Sequence, residues 1–146
     1  MRRFICGLLM SLAILLSACS KTSGPDAGSG GPDARITVTA ASHDGLIKES
    51  KKPVVLEFWA SWCGPCKLMD PVLAKISVEN TNVVIGKVNV DEEAQLAQRY
   101  GVNAIPELVV IVGGKVTKTS MGFMEKPAVE KFLEEAVKGE VKTGNR

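Results

Sequence analysis

Cys63 and Cys66, in the run Trp62-Cys63-Gly64-Pro65-Cys66, are the residues of this chain whose type and spacing most directly suggest chemistry. A hydrophobic strand pattern ends just before them and a helical pattern begins at them, so Cys63 is expected at the opening turn of a helix. That turn has unpaired N–H groups and the positive end of the helix dipole. Both favour a thiolate and draw a thiol's pKa below the value of about 8.5 for free cysteine. A two-residue spacer sets both sulfurs on the same side of one turn. Gly64 permits close backbone approach, and Pro65 presets the first helical φ and restricts its predecessor. The implied reaction is thiol–disulfide exchange: Cys63 attacks a disulfide, and Cys66 then attacks the Cys63 sulfur and releases the reduced partner.

The elements that must hold this pair follow from hydrophobic periodicity. Ile36-Thr37-Val38 reads as a short strand, and Ser42 as the cap of a short helix through Lys48. Val54 to Trp59 is almost continuously apolar, as expected for a central strand covered on both faces. Cys63 to Ser77 reads as a helix with Leu68, Val72, Leu73 and Ile76 at helical spacing, kinked at Pro71. Val83 to Val90 is a strand, and Asp91 caps a helix that Gly101 stops after Tyr100. Leu108 to Val112 and Val116 to Ser120 form a hairpin around Gly113-Gly114. Lys126 to Val137 is an amphipathic helix with Val129, Phe132, Leu133 and Ala136 facing inward. The order β-α-β-α-β-α-β-β-α predicts an α/β fold: a mixed central sheet, βαβ plus ββα, with helices on both faces.

The first 33 residues have a different character. Arg2 and Arg3 followed by the apolar run Phe4 to Leu16 have the layout of a secretory signal, and the run is shorter than the roughly 20 residues a membrane span needs. Leu16-Ser17-Ala18-Cys19 resembles the bacterial lipobox, which implies cleavage before Cys19 and acylation of its sulfur. An ordinary signal peptide ending near a cysteine is the competing reading. Ser20 after Cys19 resembles the outer-membrane sorting signal of Gram-negative lipoproteins. Ser20 to Asp33 is rich in Gly, Ser and Pro, and such a segment behaves as a flexible leash with a root-mean-square reach of roughly 20 Å. The expected organisation is a signal peptide over 1–18, a lipidated cysteine and tether over 19–33, a folded domain over 34–140 and a tail over 141–146.

Of four cysteines, Cys6 falls in the signal and Cys19 at the lipid site. Cys63 and Cys66 can then pair only with each other or with a partner's thiol. Without Arg2 and Arg3, 16 Lys and Arg face 16 Asp and Glu. That balance gives no basic footprint for nucleic acid. A tetrahedral zinc site takes about four ligands, more than the two cysteines and the distant His43 of the mature domain supply. His43, the sole histidine, is expected to be solvated in a loop.

Phe58-Trp59-Ala60-Ser61-Trp62-Cys63-Gly64-Pro65-Cys66-Lys67 resembles the active-site signature of the thioredoxin family. Lys87-Val88-Asn89-Val90-Asp91, Tyr100 to Pro106, Gly113-Gly114 and Gly122 match it as well, over about residues 34–138. The resemblance implies a thioredoxin fold, a protein-disulfide oxidoreductase that uses no cofactor beyond the Cys63–Cys66 disulfide, and an active-site loop containing Trp59, Trp62, Gly64, Pro65, Ile105 and Pro106. It implies a cis Pro106 packed on the disulfide, with the Ile105 backbone pairing with substrate. It further implies a buried acid behind Cys66 as its proton acceptor, with Lys87 as neighbour.

Two positions depart from that pattern. Glu57 stands where Asp is usual, and its extra methylene moves the carboxylate; in a buried strand its pKa should rise unless Lys87 pairs with it. Its role is general base to Cys66 or, alternatively, a structural ion pair or an edge position. Glu107 stands where Thr is common, either biasing substrate choice or simply exposed. The expected function is a lipid-anchored, monomeric disulfide reductase facing the periplasm, outer membrane favoured, supplied by a membrane thiol donor and acting on envelope proteins. An oxidase or isomerase of the same fold and a non-turnover adaptor are the alternatives.

Overall fold

A computed structural model of the chain describes residues 33–141. The expected signal segment, Cys19, the tether before Asp33 and the tail beyond Val141 lie outside the described residues. The elements follow the predicted order: β1 (Ile36–Thr37), α1 (Ala40–Glu49), β2 (Val54–Trp59), α2 (Gly64–Glu79), β3 (Val84–Asn89), α3 (Ala94–Tyr100), β4 (Glu107–Val112), β5 (Lys115–Met121) and α4 (Lys126–Val141).

The five strands form one mixed sheet in the order β1-β3-β2-β4-β5. β1, β3 and β2 run parallel, whereas β4 is antiparallel to β2 and β5 to β4. β2 is therefore internal, and its first five residues are buried, which is why it reads as an unbroken apolar run. Val55, Ile85, Leu108 and Val110 face one helical layer, where Met69, Leu73 and Ile76 of α2 meet Val129, Phe132, Leu133 and Ala136 of α4. Val54, Leu56, Phe58, Val88, Val109 and Ile111 face the other, with Leu96 and Ala97 of α3 and, less buried, Leu46 and Ile47 of α1. All four residues expected on the inner side of α4 are there.

Local chemistry sets the element ends. Thr39, not Ser42, is the N-cap of α1; Ser42 sits at N3 and completes a reciprocal capping box with Thr39. α3 begins after Glu93 with no side-chain cap, so Asp91 does not cap it. Gly101 ends α3 in the left-handed conformation (φ 70°) with its N–H on Ala97 and Gln98 carbonyls. Gly113 and Gly114, at φ 57° and 80°, make the β4–β5 turn that needs two positive φ values. α2 runs through Pro71 without a break. The proline removes the N–H that would bond the Lys67 carbonyl, but both residues lie on the exposed side. On α2 Met69 takes the buried position expected of Leu68, which is exposed. The 3-4-3 spacing Cys66-Met69-Leu73-Ile76 carries the inner stripe.

His43 is also inside rather than solvated. It lies in α1, fully buried, with Nε2 2.6 Å from the Tyr100 hydroxyl and Nδ1 2.8 Å from an Asp44 carboxylate oxygen. The ring pins α1 to the end of α3.

β1 is short, yet it places the segment entering the domain beside β3, with Ile36 opposite Gly86 and Thr37 opposite Lys87. Val38 then crosses Gly86. A Cβ there would lie 2.5 Å from a Val38 methyl and 3.3 Å from a Leu56 methyl. Gly86→Ala is accordingly expected to destabilise the domain by about 1–3 kcal/mol. The effect is read as a lower urea midpoint at constant m-value, and an unchanged midpoint would show that β1 can move aside without cost.

Candidate active site

β2 delivers the chain to Ala60 at the end of the sheet, and α2 leaves from there with Cys63 as its N-cap. Cys63 and Cys66 are joined in a disulfide with their Cα atoms 5.3 Å apart. The Cys66 amide donates to Cys63 Sγ at 3.2 Å, so the sulfur occupies the place a Ser or Asp oxygen takes in an ordinary N-cap. A charged sulfur there gains from the same N–H and from the helix dipole. Residue exposure does not separate the two cysteines, 3% and 2%. Their positions differ instead: Cys63 is at the cap and Cys66 is within the first turn. Gly64 and Pro65 are exposed between them, with Pro65 at the start of the helix.

Trp59, Val90 and Ile105 pack against the cluster of Ala60, Cys63 and Cys66. The Ile105–Pro106 peptide bond is cis, and Pro106 is buried. The Pro106 carbonyl accepts from the Gly122 amide at 2.7 Å, which ties this loop to the end of β5. Trp62 is 67% exposed. Its indole N–H is held by the Asp91 carboxylate at 3.0 Å and 3.2 Å, so Asp91 orients a ring rather than a helix. Trp62, Val90, Ala97, Val102, Asn103, Ala104 and Ile105 line an open groove of about 380 Å³ beside the disulfide.

On the α2 side of the sheet, Glu57 is 1% exposed. The edge position is thereby excluded. Lys87 is its register partner on β3, but the Lys87 ammonium bonds Asp70 of α2 at 2.5 Å and lies 4.5 Å from the Trp59 ring centre. The cation that reaches the Glu57 carboxylate is Arg35, at 3.4 Å from Nη1 to Oε2. The same Nη1 lies 3.0 Å from Asp70 Oδ1, and Nη2 lies 2.6 Å from Asp33. Burial pushes the Glu57 pKa up to about 7, while the charges of Lys87 and Arg35 pull it back. Burial also acts to raise Asp70, yet hydrogen bonds from Arg35 and Lys87 hold it below its ordinary value. The hydrogen bond from Arg35 brings Asp33 to about 2.

Glu107 is buried rather than exposed, at the head of β4 directly after the cis bond, and burial raises its pKa. Among the described residues no group of three or more His, Cys, Asp or Glu could hold a metal ion. Sequence reasoning missed Arg35, Asp33 and Asp70. Asp33 fell at the end of the segment read as a leash and Asp70 drew no reading, and the one signal for Arg35 was a long cation just before a strand with an acid two residues earlier.

A mixed sheet presenting a disulfide at a helix N-terminus, beside a cis-proline loop and an apolar groove, defines the class of protein-disulfide oxidoreductases. Residues 34–135 match the family model for thioredoxin, and this chain belongs to the thioredoxin family. A thioredoxin of Bacillus subtilis strain 168 is 39% identical over 100 residues, covering 67% of this chain and 96% of that protein. A thioredoxin of Alicyclobacillus acidocaldarius is 37% identical over 101 residues, covering 68% and 95%. The crystal structure of a thioredoxin from Nicotiana alata superposes with a TM-score of 0.68 at 31% identity, covering 74% of this chain and 97% of that one. The chain is a thiol–disulfide oxidoreductase that acts on thiol-containing proteins.

The raised Glu57 pKa has a consequence for stability. The folded state holds this proton more tightly than the unfolded state, whose carboxyl titrates near 4.5. The resulting stabilisation is complete below that pH and is lost as pH rises through about 7. Glu57→Gln removes the dependence. Between about pH 4 and about pH 8 the stability of the Gln variant relative to the native protein should rise by on the order of 3 kcal/mol. Urea unfolding of the oxidised proteins measures this, and a difference that stays flat with pH would contradict it.

Proposed function

We propose that this protein is a lipid-anchored disulfide reductase of the bacterial envelope, in which Cys63 attacks and Cys66 resolves. The observation that carries the assignment of roles is the amide of Cys66 donating to Cys63 Sγ at the start of α2. The Cys63 thiolate attacks one sulfur of a client disulfide, and the client's other sulfur leaves as a thiolate. Cys66 gives its proton to Glu57, and its thiolate attacks Cys63 Sγ. The Cys63–client bond breaks, the Cys63–Cys66 bond forms, and the client departs with two electrons and, by way of Glu57 or water, the proton. Pro106 and the Ile105 backbone border the approach to the sulfurs, and Trp59, Trp62, Gly64 and Pro65 complete the docking loop. Lys87 holds Asp70 and contributes positive charge near Glu57. Glu107 biases client choice from beneath this loop.

The reducing direction is supported by the Gly-Pro spacer and by kinship with proteins named thioredoxin. An oxidising compartment then demands a membrane thiol donor to reset the pair. Clients are disulfide-bearing envelope proteins, and the working unit is a monomer. In an insulin-reduction assay with dithiothreitol, the native protein should accelerate precipitation well beyond a Cys63→Ser, Cys66→Ser control. Activity equal to the control would favour an adaptor without turnover. The reduction potential should lie near the −270 mV or so characteristic of thioredoxin. A value above about −200 mV would replace the reductase by an oxidase or isomerase.

The anchor rests on Leu16-Ser17-Ala18-Cys19 and the leash that follows. One acyl chain holds a protein only marginally, whereas several hold it firmly. Cys19→Ala should move the protein from the membrane fraction, with the outer membrane its expected site, to the soluble fraction. Unchanged fractionation would remove the lipoprotein assignment.

A further inference from the structure

We propose that Arg35 is a positioning residue for the exchange reaction: its buried guanidinium holds the Glu57 carboxylate in place as proton acceptor for Cys66. The inference rests on the role of Glu57 proposed above and extends it to a residue on the strap that enters the domain.

The geometry begins at the outer edge of the guanidinium. Arg35 Nε donates to both Asp33 oxygens, at 2.9 Å and 3.1 Å, and Nη2 donates to Asp33 Oδ2 at 2.6 Å. A planar fork clasped along that edge has its remaining nitrogen fixed in direction. Nη1 points inward, between Asp70 of α2 at 3.0 Å and Glu57 of β2 at 3.4 Å. The Arg35 side chain is 2% exposed. The strap itself is pinned, because the Ala34 amide donates to Ser77 Oγ at 3.1 Å. Lys87, the other cation facing Glu57, is engaged by Asp70.

The charges define what the cluster does. Arg35 and Lys87 face Asp33, Asp70 and Glu57, two cations against three carboxylates. Asp33 and Asp70 are directly bonded to cations and stay ionised, so the single surplus proton belongs on Glu57. When Cys66 resolves a mixed disulfide, its S–H bond breaks and the proton moves to the Glu57 carboxylate. The Cys66 sulfur keeps the electron pair, which forms the bond to Cys63 Sγ as the client thiolate leaves. Arg35 remains paired to Asp33 and Asp70 throughout, so the cluster accepts the proton without leaving a cation uncompensated. An arginine suits this task because it stays charged in a buried site and fixes direction as well as charge.

The test uses the reduced full-length protein and 5,5′-dithiobis(2-nitrobenzoate). Cys63 releases one thionitrobenzoate in a bimolecular phase, and Cys66 releases the second in a first-order phase. For the native protein the second phase should rise through neutral pH, and in Glu57→Gln that rise should vanish. In Arg35→Met the midpoint of the second phase should move to higher pH by about one unit, a roughly fivefold slower step near pH 7 and about tenfold well below it, with the first phase unmoved. Arg35→Gln is expected to do the same if the Met variant does not fold, and Arg35→Lys should return the midpoint towards the native value. A folded Met or Gln variant whose second phase superimposes on the native profile overturns the proposal, as does an equal shift of both phases. Persistence of the rise in Glu57→Gln overturns the role of Glu57 and this inference with it. A native protein with no first phase overturns the exchange reading as a whole.

Discussion

Everything at the working end of this molecule depends on where β2 stops. The strand is internal, buried on both faces, and paired on one side with β3 and on the other with β4. Its end therefore cannot wander. The chain turns through Ala60 and Ser61 and starts α2 at a sulfur rather than an oxygen. A cap of this kind joins two requirements that are usually separate. The orphan amides of a helix start need an acceptor, and a nucleophilic sulfur needs donors. Here one N–H, that of Cys66, serves both. The cis-proline loop and β4 reach the same edge of the sheet because β4 pairs antiparallel with β2, so its first residue lies opposite Phe58.

The same burial creates the difficulty that the rest of the site resolves. A carboxylate inside the most enclosed strand is costly when ionised and unpaired. Full neutralisation by one close cation would lower its pKa and weaken it as a base. The observed arrangement is intermediate. Lys87 is drawn towards Asp70, Arg35 approaches Glu57 at the long end of ion-pair range, and the carboxyl is left poised near neutrality. Such a group can both take and return a proton at ordinary pH.

Periodic and chain-breaking residues were legible in the sequence. The element order, the double burial of β2, the inner face of α4, the Gly113-Gly114 turn and the stop at Gly101 all follow from hydrophobic spacing or from glycine's access to positive φ. The Cys63–Cys66 unit was legible because its chemistry is local. Features that depend on tertiary neighbours were not. His43 looked like a loop residue because its partner, Tyr100, lies 57 residues away. Asp91 has the form of a helix cap but is used by Trp62. Leu68 and Met69 are adjacent and equally apolar, so only the phase of α2 against the sheet decides which is inside. The neighbour that the family resemblance implied for Glu57 was Lys87. Register did place Lys87 there, yet Asp70 from α2 competes for it, and no strand pattern encodes that competition.

The Asp33 clasp on Arg35 also marks where the working unit begins. The thioredoxin family segment starts at residue 34, one position after the aspartate that aims the guanidinium. A soluble fragment trimmed to the family border would keep the sheet, the helices and both sulfurs, and would lose the outer half of the clasp. Its buried charge would differ from that of the intact chain even where its backbone superposed, because Arg35 would face one carboxylate fewer. Asp33, the last residue of the segment that looks by composition like mere leash, is the one that makes this clasp.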